Sequence, residues 1–125
     1  MKSREGGSTL RIRPRFRLWL TGDDARGVFG AGKWQLLDAI DREGSLRAAS
    51  ASLGISYRKA WGELRKAEQR LGVKFVERRR GGSDGGEMRL TQTGKLWLKE
   101  FGRFQTEVKR AVDRAFRVWM KGTGK

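Results

Sequence analysis

The 125 residues include no cysteine and no histidine. Without cysteine there is no disulfide, no thiol nucleophile and no thiolate ligand. Without histidine the commonest zinc donor is missing, as is the only side chain that titrates near neutrality unaided. The carboxylates do not restore catalytic chemistry. Asp23 with Asp24, and Asp38 with Asp41, have no companion base or metal ligand at a telling distance, and read as loop solvation and helix surface. No enzymatic activity, cofactor or metal site is expected. Long apolar runs are lacking too: nothing approaches the ~18 residues of a membrane span, and MKSREGG does not lead into a signal peptide. The expected location is cytoplasmic, with no membrane partner.

Acidic residues are scarce, 14 Asp and Glu against 29 Lys and Arg, for a net charge of +15. A compact domain with that excess carries a positive potential that draws polyanions, so double-stranded DNA is the expected partner. The excess is local. Segments 1–20, 56–80 and 95–125 carry +5, +6 and +6, whereas 21–55 and 81–94 stand at −1 each.

The length suits a single domain over 9–125, behind a polar, glycine-rich leader at 1–8 that is expected to be disordered. From Leu10 the apolar positions alternate, with Ile12, Phe16, Leu18 and Leu20 on one side and Arg11, Arg13, Arg15 and Arg17 on the other. Period two predicts a strand, placed at an edge or broken near Pro14, which has no N–H to donate. Residues 21–32 read as a loop around buried Val28 and Phe29. Trp34, Leu37 and Ile40 predict a first helix over 32–43. Ser45 caps a second helix with the stripe Leu46, Ala49 and Leu53, and Gly54 can turn the corner. Ser56 caps a third, with Tyr57, Ala60, Trp61, Leu64, Ala67 and Leu71 inward and Arg58, Lys59, Arg65 and Lys66 outward. Phe75 onward predicts a hairpin through the arginine run 78–80 and the glycine tip GGSDGG, returning at Met88 to Leu90. Thr91 caps a last helix, 91–121, whose apolar residues step by four and three.

Taken together these parts predict a mainly α fold with a small β component: a winged helix-turn-helix with an N-terminal strand and a long C-terminal dimerisation helix. The first turn of the third helix, Ser56, Tyr57, Arg58 and Lys59, would reach the major groove, where Arg and Lys donate to guanine. Ser45 and Arg65 join the expected contact set. Arg78, Arg79 and Arg80 would grip phosphates, and the wing glycines would let the backbone approach closely. An ordinary helical corner with solvated cations is the plain alternative for the helix pair. For Trp61 and Tyr57, core packing is preferred to stacking on single-stranded bases.

A helix of ~30 residues spans ~45 Å, more than so small a domain can cover. Trp97, Phe101, Phe104, Val108, Ala111, Ala115 and Val118 are therefore expected to face a second copy, giving a homodimer on a palindromic operator. A sequence-neutral architectural DNA-binding protein would need only the charge and the wing, and is the competing reading.

The runs GSLRAASASLGISYRKAW and ERRRGGSDGGEMRLTQTG closely resemble the DNA-binding domain of ModE-type molybdate-responsive transcription regulators, and more distantly the winged helix of LysR-type regulators. The resemblance implies a dimer that holds its operator with the third helix and the wing. It implicates Ser56, Tyr57, Arg58 and Lys59, with Arg78, Arg79, Arg80, Gly82 and Gly85, and it links the regulated genes to molybdate or tungstate uptake. ModE-type regulators continue into molybdate-binding β domains, whereas this chain stops at KGTGK. The expectation is that no small-molecule effector binds this chain.

Overall fold

A computed structural model describes residues 10–79 and 87–123. The expected leader at 1–8 and the wing tip, with Arg80, Gly82 and Gly85, lie outside the described residues.

The elements run β1 (Trp19–Thr21), β2 (Gly27–Gly30), α1 (Ala31–Glu43), α2 (Leu46–Leu53), α3 (Tyr57–Leu71), β3 (Val76–Arg79), β4 (Glu87–Leu90) and α4 (Gln92–Thr123). The strands form two separate antiparallel pairs, β1 with β2 and β3 with β4. Helix α1 turns its apolar stripe inward, burying Leu36, Leu37, Ala39 and Ile40. The Ser45 hydroxyl accepts the Ala48 N–H to start α2, and Ser56 does the same for Lys59 at α3. Each serine thereby satisfies one of the donors that a helix start leaves open.

Gly54 ends α2 at φ 72°, a left-handed conformation that a Cβ would strain. Its single turn brings α3 across α2. Ala49 and Ala60, both fully buried, are small enough to permit the crossing. One polar side chain, Ser50, is buried beneath it, and its hydroxyl donates to the Leu46 carbonyl at 2.8 Å.

An aromatic cluster joins the start of the chain to its last helix. Phe29 lies 5.0 Å from both Trp97 and Phe101 and 5.7 Å from Phe75, ring centre to ring centre. Such tilted and edge contacts add roughly 0.5–1.5 kcal/mol each beyond area burial. Thr91 caps α4 by accepting the Gly94 N–H. A Cβ at Gly94 would fall on the Phe75 carbonyl, so only glycine lets α4 start against β3. Further along α4, Trp34 donates its indole N–H to the Leu98 carbonyl at 2.8 Å, with its ring over Gly102.

Two sequence expectations are corrected. The strand expected from Leu10 to Leu20 is paired only at Trp19–Thr21, and Leu10, Ile12 and Phe16 are 80%, 62% and 46% exposed. Trp19 is already opposite Gly30, where β2 ends and α1 begins, so the earlier residues have no strand alongside them. The expected loop at 21–32 contains β2, formed where Val28 and Phe29 reach into the core.

Candidate nucleic-acid interface

Helix α3 presents three different sides. Ala60, Leu64 and Ala67 are buried. The side away from the wing is tied down by ion pairs. Lys33 of α1 reaches Glu63 at 2.9 Å, and Arg70 holds Asp24 of the β1–β2 turn at 2.8 Å. The hydrogen bond from Lys33 lowers the Glu63 carboxyl below its ordinary range. Asp24 is lowered by the Arg26 backbone N–H first and by Arg70 second.

The third side is open and cationic. Arg58, Gly62 and Arg65 fall on one exposed stripe, flanked by Lys59 and Lys66. Among the described residues, no carboxylate lies within ion-pair distance of any of these four cations. Gly62 has no packing reason to be glycine, since a Cβ there would meet nothing within 4 Å. A glycine inside a helix costs about 0.8–1 kcal/mol relative to alanine. No contact among the described residues compensates that cost.

The wing root is locked to the same helix. Glu68 accepts the Phe75 N–H at 2.7 Å and the Val76 N–H at 3.3 Å, fixing where β3 starts. The hairpin register then sets Arg78 opposite Met88, with Val76, Met88 and Leu90 buried and Glu77 and Arg78 exposed. Arg78 turns back to α3, donating to the Tyr57 hydroxyl at 3.3 Å, and its guanidinium lies 5.3 Å from the Trp61 ring centre.

Several sequence-predicted residues gather on this surface. Arg58, Lys59, Arg65 and Arg78 are exposed, and Tyr57 is half-buried between the helix and the wing. Ser45 and Ser56 serve as helix caps. Arg79 belongs to β3 by its backbone, and its side chain lies outside the described residues. Trp61, expected in the core, packs against it but is only half-buried, with Arg65 and Arg78 over its ring. The same stripe that carries Leu64 inward rotates position 61 toward the wing. Arg47 and Gly62 were absent from the expected site. Arg47 sits on the exposed side of α2 with its guanidinium 4.9 Å from the Tyr57 ring centre, and its outward place beside buried Leu46 was the available signal.

The predicted dimer surface divides. Phe101 is 4% exposed and Trp97 packs on Phe29 and Phe75, so both belong to the domain's own core. Phe101 is thereby removed from the surface open to a partner, whereas Trp97 is half-buried and keeps part of its surface. Phe104, Ala111, Ala115 and Val118 are exposed, and Val108 is half-buried.

A helix pair turned at Gly54, followed by a β hairpin locked to its second helix, defines a winged helix-turn-helix domain. The chain belongs to the bacterial regulatory helix-turn-helix proteins of the lysR family, whose model matches residues 32–95. That is a family of DNA-binding transcription regulators and not of enzymes. The molybdenum-pterin-binding protein MopB of Rhodobacter capsulatus is 35% identical over 98 residues, covering 70% of this chain and 36% of MopB. The molybdenum transport protein ModE of Azotobacter vinelandii is 32% identical over 80 residues, covering 64% of this chain and 30% of ModE. The chain thus spans about a third of the length of these curated relatives. Among solved structures it is similar to CbnR_DBD in a crystal structure with DNA. The TM-score is 0.56 at 25% identity, covering 70% of this chain and 94% of that one.

Proposed function

We propose that this protein binds duplex DNA in a sequence-specific way, as a homodimer on a palindromic operator, and regulates genes connected with molybdate or tungstate uptake. The observation that carries the reading is the open face of α3. Among the described residues its cations have no carboxylate at ion-pair distance, its first turn is held by the Ser56 cap, and the wing root is fixed beside it. A face of that kind matches phosphates by charge and presents Arg58 and Lys59 at the position from which a recognition helix reads base edges. The expected contacts are Ser45, Ser56, Tyr57, Arg58, Lys59 and Arg65, with the wing arginines 78 to 80 and Gly82 and Gly85.

Support for the dimer comes from α4. Its 32 residues span about 48 Å at ~1.5 Å per residue, and Phe104, Val118 and Trp119 are 43%, 67% and 53% exposed along it. A two-fold pairing of such helices would set two copies of α3 about one DNA turn apart, or a multiple of it. The molybdenum connection rests on the likeness to MopB, a molybdenum-pterin-binding protein, and ModE, a molybdenum transport protein.

The test is selection of bound fragments from the source genome, followed by competition with random duplex. A regulator prefers its site by ~10³-fold or more, and the fragments should lie beside oxyanion-uptake genes. Equal competition by random duplex would replace this reading with that of an architectural DNA-binding protein.

A further inference from the structure

A polar cluster on the open side of α3 is centred on Tyr57. Its hydroxyl oxygen accepts the Trp61 indole N–H at 3.2 Å and an Arg78 N–H at 3.3 Å. A phenol oxygen carries two lone pairs and one proton. Both lone pairs are taken, so the remaining capacity of the group is to donate. Among the described residues no acceptor receives that proton.

The surroundings select an anion. The Arg47 guanidinium faces the Tyr57 ring at 4.9 Å, and Arg78 sits at the hydroxyl edge, each without a carboxylate at ion-pair distance among the described residues. Stacking on a ring leaves the in-plane N–H groups of a guanidinium free to meet oxygens. Ion-pairing in this chain is otherwise common: Arg42, Arg70, Arg89, Arg103 and Arg110 each hold an acid. The cluster also joins three elements, since Arg47 comes from α2, Tyr57 and Trp61 from α3 and Arg78 from β3.

We propose that Arg47, Tyr57 and Arg78 form a clamp for one backbone phosphate of bound duplex DNA. Tyr57 is its oriented neutral donor and Trp61 is the positioning residue that fixes the phenol. The clamp rests on the duplex-DNA reading above and adds a specific job: it sets the register of the recognition helix on the backbone, so that Arg58 meets a defined base pair. Trp61 acts only through Tyr57 and Arg78. Its indole N–H is spent on the hydroxyl, and its ring supports the guanidinium.

The experiment measures affinity of the full chain for its selected duplex, and for a set of duplexes that each carry one methylphosphonate in place of a phosphate. Tyr57→Phe should weaken binding about tenfold or more, the worth of a hydrogen bond to a charged acceptor. The slope of log affinity against log salt should be unchanged, because no charge is removed. Arg78→Gln should flatten that slope by about 0.9 for each copy, about 1.8 for the dimer. One methylphosphonate position in each half-site should cost the wild-type chain about tenfold, yet cost Tyr57→Phe little more than it has already lost. Trp61→Phe, which keeps a ring but no N–H, should show the same coupling in weaker form and keeps the test open if Tyr57→Phe folds poorly. Losses that add independently at every phosphate position overturn the clamp, as does wild-type affinity in Tyr57→Phe. A wild-type chain that binds no duplex overturns the DNA reading itself.

Discussion

Helices α3 and α4 are both amphipathic and both rich in cations, yet what each leaves unsatisfied differs in kind. Helix α3 has its buried positions covered by its own chain and its far side paired, through Lys33–Glu63 and Arg70–Asp24. What it leaves open is charge, at Arg58, Lys59, Arg65 and Lys66. Helix α4 pairs some of its cations with neighbours one turn away, as in Arg103–Glu100 and Arg110–Glu107. Besides its remaining cations, α4 leaves open what α3 does not, an apolar area beyond the point where Phe101 enters the core. Unpaired positive charge fits a polyanion and uncovered apolar surface fits another apolar surface, so the two helices ask for different partners.

The largest effect should come from the α4 side. Phe104→Asp combined with Val108→Asp should convert a dimer to a monomer by mass in solution. Affinity for the operator should drop by ~10²–10⁴ as avidity is lost, with helix content by circular dichroism preserved. An unchanged mass would break the contrast, because α4 would then need no partner. Next comes Arg58→Gln on α3, expected to cost about 1–3 kcal/mol of binding and to relax base preference at one position of each half-site, read by competition among operator variants. If it lowers affinity equally for every sequence, Arg58 is a phosphate contact and not a reader.

A smaller and more diagnostic effect belongs to Gly62. Gly62→Ala should raise the stability of the fold by up to about 1 kcal/mol in urea unfolding, while weakening DNA binding, because the added methyl stands on the face that approaches the backbone. A variant that is more stable and binds as well as the wild type would remove the argument that this glycine serves a partner. The smallest effect is the Lys33–Glu63 pair. The Glu63 carboxyl is lowered in the folded state, so its contribution is full above its ordinary value of 4.5 and is lost as pH falls through the lowered one. With Glu63 38% exposed, Glu63→Gln should cost under about 1 kcal/mol at neutral pH. The difference from the wild type should vanish in acid unfolding; a difference that persists there would assign the effect to packing.

Much of the architecture was legible because the local signals were strong and agreed. Ser45 and Ser56 as caps, Gly54 as the corner, and the stripe Ala60, Leu64 and Ala67 all follow from short-range rules that the fold obeys. The β1–β2 pair was not legible. Alternation at Leu10, Ile12 and Phe16 indicates a strand, but pairing needs a neighbour, and β2 is only four residues long. In the site, Arg58 and Lys59 could be placed from helical spacing alone. Arg47 and the Trp61–Tyr57–Arg78 linkage could not, because they depend on how three elements meet. The heptad pattern likewise could not tell that Trp97 and Phe101 pack on the chain's own aromatic cluster while Val118 stays exposed.

On the proposed function, the cations of α3 and the wing root meet DNA phosphates. A salt titration of affinity for the selected duplex tests it most directly. If ~6–10 phosphates are neutralised, affinity should fall by ~10³–10⁵ between 50 and 200 mM salt, and Arg65→Gln should flatten the slope by about one phosphate per copy. A flat salt response, or a slope that ignores Arg65 and Arg78 alike, would contradict the assignment of this face to DNA.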